Sequence, residues 1–283
     1  MMWSISKRDL RVVLWALAIG TTALMAMMLC GCEKPITSED AASDDGNLRL
    51  TFPTESVQKI AVQLFTDSGE KVLAKSKTQT SQDATFGRLS LQVAAGTYTL
   101  VAVSHSSAVS PTIKSPQQVQ FTAQDGRKLT DTQCCVLPVT LTDQPVDIAL
   151  PMQRCVARVR FRFMDDMMDG TTALRFDYTG GSANVNPSTL QGYTKSTQTE
   201  LRTLSADSQY DIYTFPYMAD DGTLSVTVHC LDAQGTDVFT REFPDVPVSR
   251  NRMTTLTGQL FSHATAFGFT VEDGWLGETV IHF

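Results

Sequence analysis

The chain has 283 residues and a formal net charge of −7, from 23 Lys and Arg against 30 Asp and Glu. An acidic chain without a basic cluster argues against a nucleic-acid partner, and six cysteines are too few for a disulfide scaffold of this length. Even without its N-terminal segment, the chain is long enough for two domains of ordinary size.

The N-terminal segment combines a basic start with an apolar run. Lys7, Arg8 and Arg11 precede a stretch from Val12 to Leu29 that contains no charged residue. This order is typical of a secretory signal peptide, although the run is also close to the shortest length that spans a membrane, so an uncleaved anchor is the alternative. On either interpretation, the bulk of the chain lies outside the cytoplasm.

The sequence Leu29-Cys30-Gly31-Cys32 at the end of this run resembles the lipobox of bacterial lipoproteins. An aliphatic residue three positions before the cysteine and a small residue directly before it fit Cys32, whereas Cys30 fits poorly. The resemblance implies that residues 1–31 are a lipoprotein signal peptide cleaved after Gly31, and that Cys32 is acylated with chains such as palmitate. Each buried methylene contributes about 0.8 kcal/mol, so several chains would give an effectively permanent membrane anchor.

Residues 32–46 are predicted to form a flexible tether, because they show no periodicity and are rich in small and acidic residues. Within them, Ser43-Asp44-Asp45 resembles the signal that sends some Bacteroidetes lipoproteins to the cell surface. A solvated linker without a sorting role explains the same residues equally well.

Alternation of apolar and polar residues predicts strands throughout the first half of the remaining chain. They are 47–52, two strands around an Asp-Ser-Gly turn in 59–76, a pair turning at Gly96 in 88–104, 118–123 and 134–142. Residues 146–163 then form a long strand interrupted by Pro151, which cannot donate to a ladder. We place the domain boundary at this break, giving domains 47–151 and 152–283.

The second half continues the same pattern. It predicts strands at 175–180 and 210–217, a hairpin over 222–243 that turns at 232–237, and strands at 252–261, 267–273 and 279–283. No stretch after the signal peptide has a sustained helical stripe. The sequence therefore predicts an all-β fold of two β-sandwich domains in tandem.

Residues 155–163 show the alternation most clearly. One face carries Cys155, Ala157, Val159, Phe161 and Phe163, and the other carries Val156, Arg158, Arg160 and Arg162. The arginines could bind an acidic partner. We favour a solvated face, or pairing with acidic residues on a neighbouring strand.

No catalytic or metal-binding pattern is found, so we expect no enzyme activity, no cofactor and no metal. The four histidines are isolated, and His229 is expected to face solvent on its strand. The acidic run 165–170 has part of the character of a calcium loop, but it lacks the alternating ligands and the closing glutamate. A solvated turn is the favoured interpretation.

The remaining cysteines lie in strands. Cys134 and Cys135 are adjacent and should point to opposite faces, so at least one is buried. Cys155 and Cys230 both lie on apolar faces expected to line the core of the second sandwich. A disulfide between them is possible if their strands are neighbours, but two buried free thiols are slightly favoured.

Three further segments carry a family resemblance: "AAGTYTLVAVS" at 94–104, "IALPMQRCVARVRF" at 148–161, and "VPVSRNRMTTLTGQLF" at 246–261 followed by Trp275. Together they resemble fimbrial anchor subunits of the FimB/Mfa type in the Bacteroidetes fimbrillin superfamily. The resemblance implies two transthyretin-like (Greek-key) sandwiches in a lipid-anchored outer-membrane protein exposed at the cell surface. It also implies a role as anchor or accessory subunit of fimbriae, in pilus assembly and cell adhesion, with other fimbrial subunits as partners.

In that family, subunits join by lending a strand to the open sheet of a neighbour. Stalk subunits lose an N-terminal strand after a basic residue, whereas anchor subunits are expected to keep theirs. Arg49 lies inside the first predicted strand, and proteolytic cleavage after this residue is therefore an alternative. The alternative function is a surface glycan-binding lipoprotein, although only Trp275 among the tryptophans remains for stacking on sugars.

Overall fold

The computed structural model describes residues 46–121, 129–261, 268–270 and 278–282. All regular secondary structure in these residues is β-strand, which confirms the predicted all-β class. The strands before Pro151 are β1 Leu48–Thr51, β2 Lys59–Phe65, β3 Lys77–Thr80, β4 Arg88–Leu91, β5 Gly96–His105, β6 Thr112–Ser115, β7 Gln118–Gln120, β8 Gln133–Leu141 and β9 Val146–Ala149.

The strands after Pro151 include those of the predicted long hairpin. They are β10 Gln153–Arg154, β11 Ala157–Phe163, β12 Ala173–Thr179, β13 Asn184–Asn186, β14 Gln191–Gly192, β15 Gln198–Thr203, β16 Gln209–Thr214, β17 Asp221–Leu231, β18 Asp237–Ser249, β19 Met253–Gly258, β20 Gly268–Thr270 and β21 Glu278–His282.

These strands form five sheets. Their orders are β4-β1-β9 (sheet A), β10-β8-β5-β2-β3 (sheet B), β14-β13-β7-β6 (sheet C), β16-β11-β19-β21-β20 (sheet D) and β15-β12-β17-β18 (sheet E). Sheets A and B pack around one apolar cluster, the N-terminal core, and sheets D and E around another, the C-terminal core. Each pair is thus a β-sandwich, in which inward apolar side chains alternate with outward polar ones.

The hairpin predicted at 222–243 is present as β17 and β18, which pair antiparallel. Its turn is closed by Asp232, whose Oδ1 accepts hydrogen bonds from the backbone N–H of Gln234 at 2.9 Å and of Thr236 at 2.8 Å. Gly235 has φ of +79°, in the left-handed region that favours glycine. The local turn chemistry therefore explains why this element was predictable.

Two of the predicted strand pairs differ from the structure. Residues 71–76 form no strand after the Asp-Ser-Gly turn, and β3 begins only at Lys77. The strands around Gly96 are not a hairpin either, because β4 belongs to sheet A and β5 to sheet B. The chain crosses from one layer of the sandwich to the other between them.

Sheet C joins the two halves of the chain. Its strands β6 and β7 precede Pro151, whereas β13 and β14 follow it, and β7 pairs antiparallel with β13. Sheet C covers the face of sheet B that is turned away from the N-terminal core. The apolar cluster between them, the bridging core, includes Phe65 and Val103 from the first half and Val185 and Phe215 from the second.

Candidate assembly surface

The first described strand, β1, lies in the middle of sheet A. It pairs antiparallel with β4 and parallel with β9, so that Leu48 lies between Leu91 and Val146. Both backbone edges of the strand are therefore hydrogen-bonded. The predicted strand at 47–52 is confirmed, and the structure shows that it is an internal strand.

The side chains of β1 hold it in place on one face. Leu48 and Leu50 are fully buried in the N-terminal core. Asn47 secures the entry to the strand, because its side-chain amide donates to the carbonyl of Val93 at 2.7 Å and accepts from the N–H of Val93 at 2.9 Å. If β1 were absent, sheet A would have two unpaired strand edges and two leucine-sized sites, which is the geometry that strand addition uses.

Arg49 lies on the opposite face of β1. Its guanidinium is 4.0 Å from the carboxylate of Asp147, and both side chains are at least one-third exposed. An exposed pair of this kind contributes little stability. The peptide bond after Arg49 nevertheless lies within a strand that is hydrogen-bonded on both sides.

The C-terminal strand β21 is also internal. It pairs in parallel with β19 over five residues and antiparallel with β20 on its other side. Ile281 is buried in the C-terminal core, and His282 is exposed. The predicted terminal strand at 279–283 is thus confirmed as a strand, and its apolar side chain contributes to the fold.

The four described cysteines are distributed over three cores. Cys135 lies in the N-terminal core, Cys230 in the C-terminal core, and Cys134 and Cys155 in the bridging core, all as free thiols. The structure therefore does not bring Cys155 and Cys230 together. Cys155 precedes β11, and its N–H donates to the carbonyl of Thr132 at 3.0 Å, so it follows the ladder with β8.

Burial affects the chemistry of these thiols. It raises the pKa of Cys135 and of Cys230 to about 11. Because the thiolate is the nucleophile, such thiols are unreactive near neutral pH. Neither cysteine is a candidate for catalysis.

Two of the three arginines of β11 pair with an acidic residue on a neighbouring strand, one of the two arrangements favoured from the sequence. Asp211 on β16 lies opposite Arg160 and accepts from its Nε at 2.8 Å. The same carboxylate also accepts from the guanidinium of Arg158. Because one carboxylate already pairs with two of the three arginines, this face is a poor site for an acidic partner.

His229 does not face solvent freely. Its ring lies between two carboxylates, with Nε2 3.2 Å from Asp177 and Nδ1 2.8 Å from Asp237. Both belong to an ion-pair cluster with Arg175 on the outer face of sheet E. The strand position was predicted correctly, but the partners come from β12 and β18.

The acidic run 165–170 has a structural role at its first residue. The two carboxylate oxygens of Asp165 accept the backbone N–H groups of Leu260 and Phe261, each at 2.8 Å. Within the described residues, no group of three or more His, Cys, Asp or Glu is placed to hold a metal ion. The same part of the chain contains no helix long and apolar enough to cross a membrane.

Sequence reasoning missed β15, the edge strand of sheet E. Its inward side chains are polar, and the Glu200 carboxylate is fully buried, where it accepts from the Tyr178 hydroxyl at 2.7 Å and pairs with the Arg202 guanidinium. Burial also raises the pKa of Tyr178 well above its usual range. The sequence pattern that could have predicted this strand is the alternation of Gln, Glu and Arg with Thr and Leu in residues 198–203. Inward-pointing charge is one way in which proteins guard an edge strand against unwanted pairing.

Several predicted positions lie outside the described residues. These are Gly31 and Cys32 of the lipobox, the 43–45 cluster, and Trp275.

Several solved structures resemble this chain. An adhesin candidate from Bacteroides ovatus has 12% identity and a TM-score of 0.46, covering 69% of this chain and 76% of that one. A polysaccharide-binding candidate from Bacteroides thetaiotaomicron has 11% identity and a TM-score of 0.45, covering 69% and 80%. The fimbrial anchor protein Mfa2 from Porphyromonas gingivalis has 14% identity and a TM-score of 0.38, covering 69% and 80%.

No curated protein matches the chain. One family model does match, over residues 54–282, and its description is a family of unknown function, DUF6562. This match extends from the residues after β1 to the last described strand, and the chain therefore belongs to the DUF6562 family.

Proposed function

We propose that the chain is an anchor or accessory subunit of fimbriae, without catalytic activity, held in the outer membrane by lipid on Cys32 and exposed at the cell surface. Three sequence features support this proposal: the apolar leader, the fit of Leu29, Gly31 and Cys32 to a lipobox, and the resemblance to fimbrial anchor subunits. Mfa2 is described as a fimbrial anchor, and the proposal gives this chain the same kind of role.

The observation that carries the proposal is the position of β1. A subunit whose own N-terminal strand fills sheet A does not need a donated strand there. The residues before β1 lead directly back to Cys32, so the lipid and the first sheet belong to one continuous segment. A cut after Arg49 would remove half of β1 and the lipid together, and an anchor subunit therefore has to keep this segment intact.

Contacts with other subunits are proposed to use strand addition. Main-chain hydrogen bonds would provide affinity, and alternate side chains would provide specificity. Because β1 and β21 are both internal strands of this chain, the subunit would meet its partners through edges that the fold leaves unpaired, or through a strand that a partner lends.

The lipid anchor is tested by replacing the acylated cysteine. Cys32→Ala should release the protein from the membrane fraction or leave the precursor unprocessed, and it should abolish co-sedimentation of fimbriae with membranes. The matched control is Cys30→Ala, two residues away in the same leader, which should behave as wild type. Membrane retention of correctly processed Cys32→Ala protein would contradict the proposal.

The glycan-binding alternative has no support from the described residues. The large hydrophobic side chains exposed there are Met, Leu and Val rather than aromatic: Met164, Met168, Leu201, Leu204, Met218 and Val238. Stacking on sugar rings uses aromatic faces, and Trp275 lies outside the described part of the chain.

A further inference from the structure

Two cysteine sulfurs are in contact at the point where the chain passes from its first half to its second. Cys134 lies on β8, and Cys155 follows β10. Their Sγ atoms are 3.4 Å apart, and both side chains are completely buried in the bridging core. We propose that Cys134 and Cys155 are joined by a disulfide in the mature protein.

The strand register explains why these two sulfurs meet. Gln153 pairs with Cys134 in the antiparallel β10–β8 ladder, and the N–H of Cys155 continues it by donating to Thr132. Positions 153 and 155 lie on the same face, so Cys155 is the diagonal neighbour of Cys134. Diagonal neighbours are ordinarily farther apart than direct ones, but the Sγ–Sγ distance of 3.4 Å places these two side chains in contact.

The bond requires a modest movement. A disulfide has an S–S distance of about 2.04 Å, so the two sulfurs have to approach by roughly 1.4 Å. Rotation about χ1 provides part of this approach. The rest can come from β10, a two-residue strand at the edge of sheet B with only two ladder pairs.

The other described cysteines do not compete for this bond. Cys135 points to the opposite face of β8 into the N-terminal core, and Cys230 lies in the C-terminal core. Among the four described cysteines, the 134–155 pair alone has its sulfurs in contact. The geometry therefore selects one pairing out of the several that four cysteines allow.

The oxidation is a thiol–disulfide exchange. The two thiols lose two protons and two electrons as the S–S bond forms, and a protein disulfide of the extracytoplasmic compartment accepts the electrons and becomes a dithiol. Because attack requires a thiolate, and burial raises the pKa of Cys155, the bond would form before the bridging core closes. This step depends on export of the chain, which the leader predicts, and not on the fimbrial role.

The bond would fix the junction between the two halves. The loop it closes runs from β8 through β9, Pro151 and β10, the last strands of the first sheet pair before β11 begins the second. Cys155 and Val156 directly precede β11, so the start of the second sandwich would be tied covalently to β8 of the first. The predicted domain boundary at Pro151 lies inside this closed loop.

Peptide mapping of the wild-type protein tests the pairing directly. The exported full-length chain is purified without reductant, unfolded, alkylated and digested with trypsin, which places Cys134 and Cys135 on one peptide ending at Arg154 and Cys155 on the next. We expect these two peptides to be linked, with Cys230 alkylated. Alkylation of all four cysteines, or a link between Cys155 and Cys230, would overturn the proposal.

Three variants assign the bond and its effect. Cys135→Ala should keep the link, and loss of the link in this variant would overturn the assignment to Cys134. Reductant should lower the Tm of the wild type by about 6 to 12 °C, from closure of a loop of about 20 residues. Reductant should lower the Tm of the matched control Cys135→Ala/Cys230→Ala by the same amount, but it should not change the Tm of Cys134→Ala/Cys155→Ala. Equal sensitivity to reductant in both double variants would also contradict the bond.

Discussion

At the scale of single residues, His105 is the buried titratable group with the clearest consequence. It ends β5 and is completely buried, with its Nδ1 accepting from the N–H of Ser107 at 3.1 Å and its ring 5.6 Å from that of Phe121, edge to face. Its Nε2 has no hydrogen-bond partner among the described residues. Burial, with a smaller contribution from the charge of Lys59, lowers the pKa of His105 to about 4.

This lowered pKa predicts acid sensitivity. Between pH 6.5 and about 4, the unfolded chain binds a proton at His105 and the folded chain does not, so the free energy of unfolding falls as the pH falls. The loss should be complete below pH 4 and amount to about 3 kcal/mol. His105→Asn removes the titration but keeps an acceptor oxygen near the position of Nδ1 for the N–H of Ser107. Denaturant unfolding across this range should show a shallower pH dependence in the variant, and identical slopes would contradict the account.

Some residue roles could be predicted from the sequence, and the reason is geometric. Alternation in β11 placed the arginines on one face, for which a solvated face or an acidic partner on a neighbouring strand were the favoured explanations, and Asp211 is such a partner. Alternation could not predict the environment of Cys155. It fixes the face of a residue only within one continuous ladder, and Cys155 belongs to the ladder of β8 rather than that of β11.

At the scale of elements, β21 determines how the C-terminus is interpreted. A strand kept free for a partner would leave its apolar side chain exposed. Instead, Ile281 is buried in the C-terminal core between the ladders of β19 and β20. Removal of the last residues would therefore damage the fold as well as any contact, and a single substitution is a cleaner test than truncation.

Ile281→Ala should lower the free energy of unfolding by about 2 to 4 kcal/mol, through lost burial and the cavity left behind. The matched control is His282→Ala, the next residue, which is exposed and should change stability by about 0.5 kcal/mol at most. Chemical denaturation of both variants is the measurement. If the two variants were equally stable, β21 would not be docked in the isolated subunit and would be available to a partner.

The elements that were mispredicted depend on contacts distant in the sequence. Residues 71–76 alternate like a strand, but the buried side chain of Gln63 donates to the carbonyl of Leu73 at 3.0 Å and accepts its N–H at 3.2 Å, replacing ladder bonds. β4 and β5 look like a hairpin because they are close in sequence and β5 begins with a glycine, Gly96. Nothing local indicates that the chain changes sheets there, since each strand finds its partners elsewhere.

At the scale of the whole molecule, sheet B is the structural centre of the described residues. Its strand β2 is buried on both faces, with Ile60, Val62 and Leu64 in the N-terminal core and Ala61 and Phe65 in the bridging core. Strands that are covered on both sides have nearly continuous apolar sequences. The sequence of β2 was interpreted as alternating, with one apolar face. Ala61 and Phe65 make the other face apolar as well, which indicates a second packing layer that the sequence alone did not identify.

The second packing layer is sheet C, which contains strands from both halves of the chain and therefore affects the division into domains. The boundary at 151/152 lies between β9 and β10, but β10 still belongs to sheet B of the first sandwich and β7 pairs with β13 across the boundary. The described residues belong to one compact unit. We keep 47–151 and 152–283 as the proposed domains, with the bridging core fixing them together.

The N-terminal peptide of this chain in fimbriae isolated from native cells tests the central claim most directly. Mass spectrometry should find the chain in the fimbrial preparation, beginning at acylated Cys32 and retaining residues 48–51. This result is expected because β1 fills sheet A and the segment that leads into it is proposed to carry the lipid at Cys32. Absence of the chain from the fimbriae, or a mature N-terminus at Leu50 without lipid, would contradict the proposed anchor function.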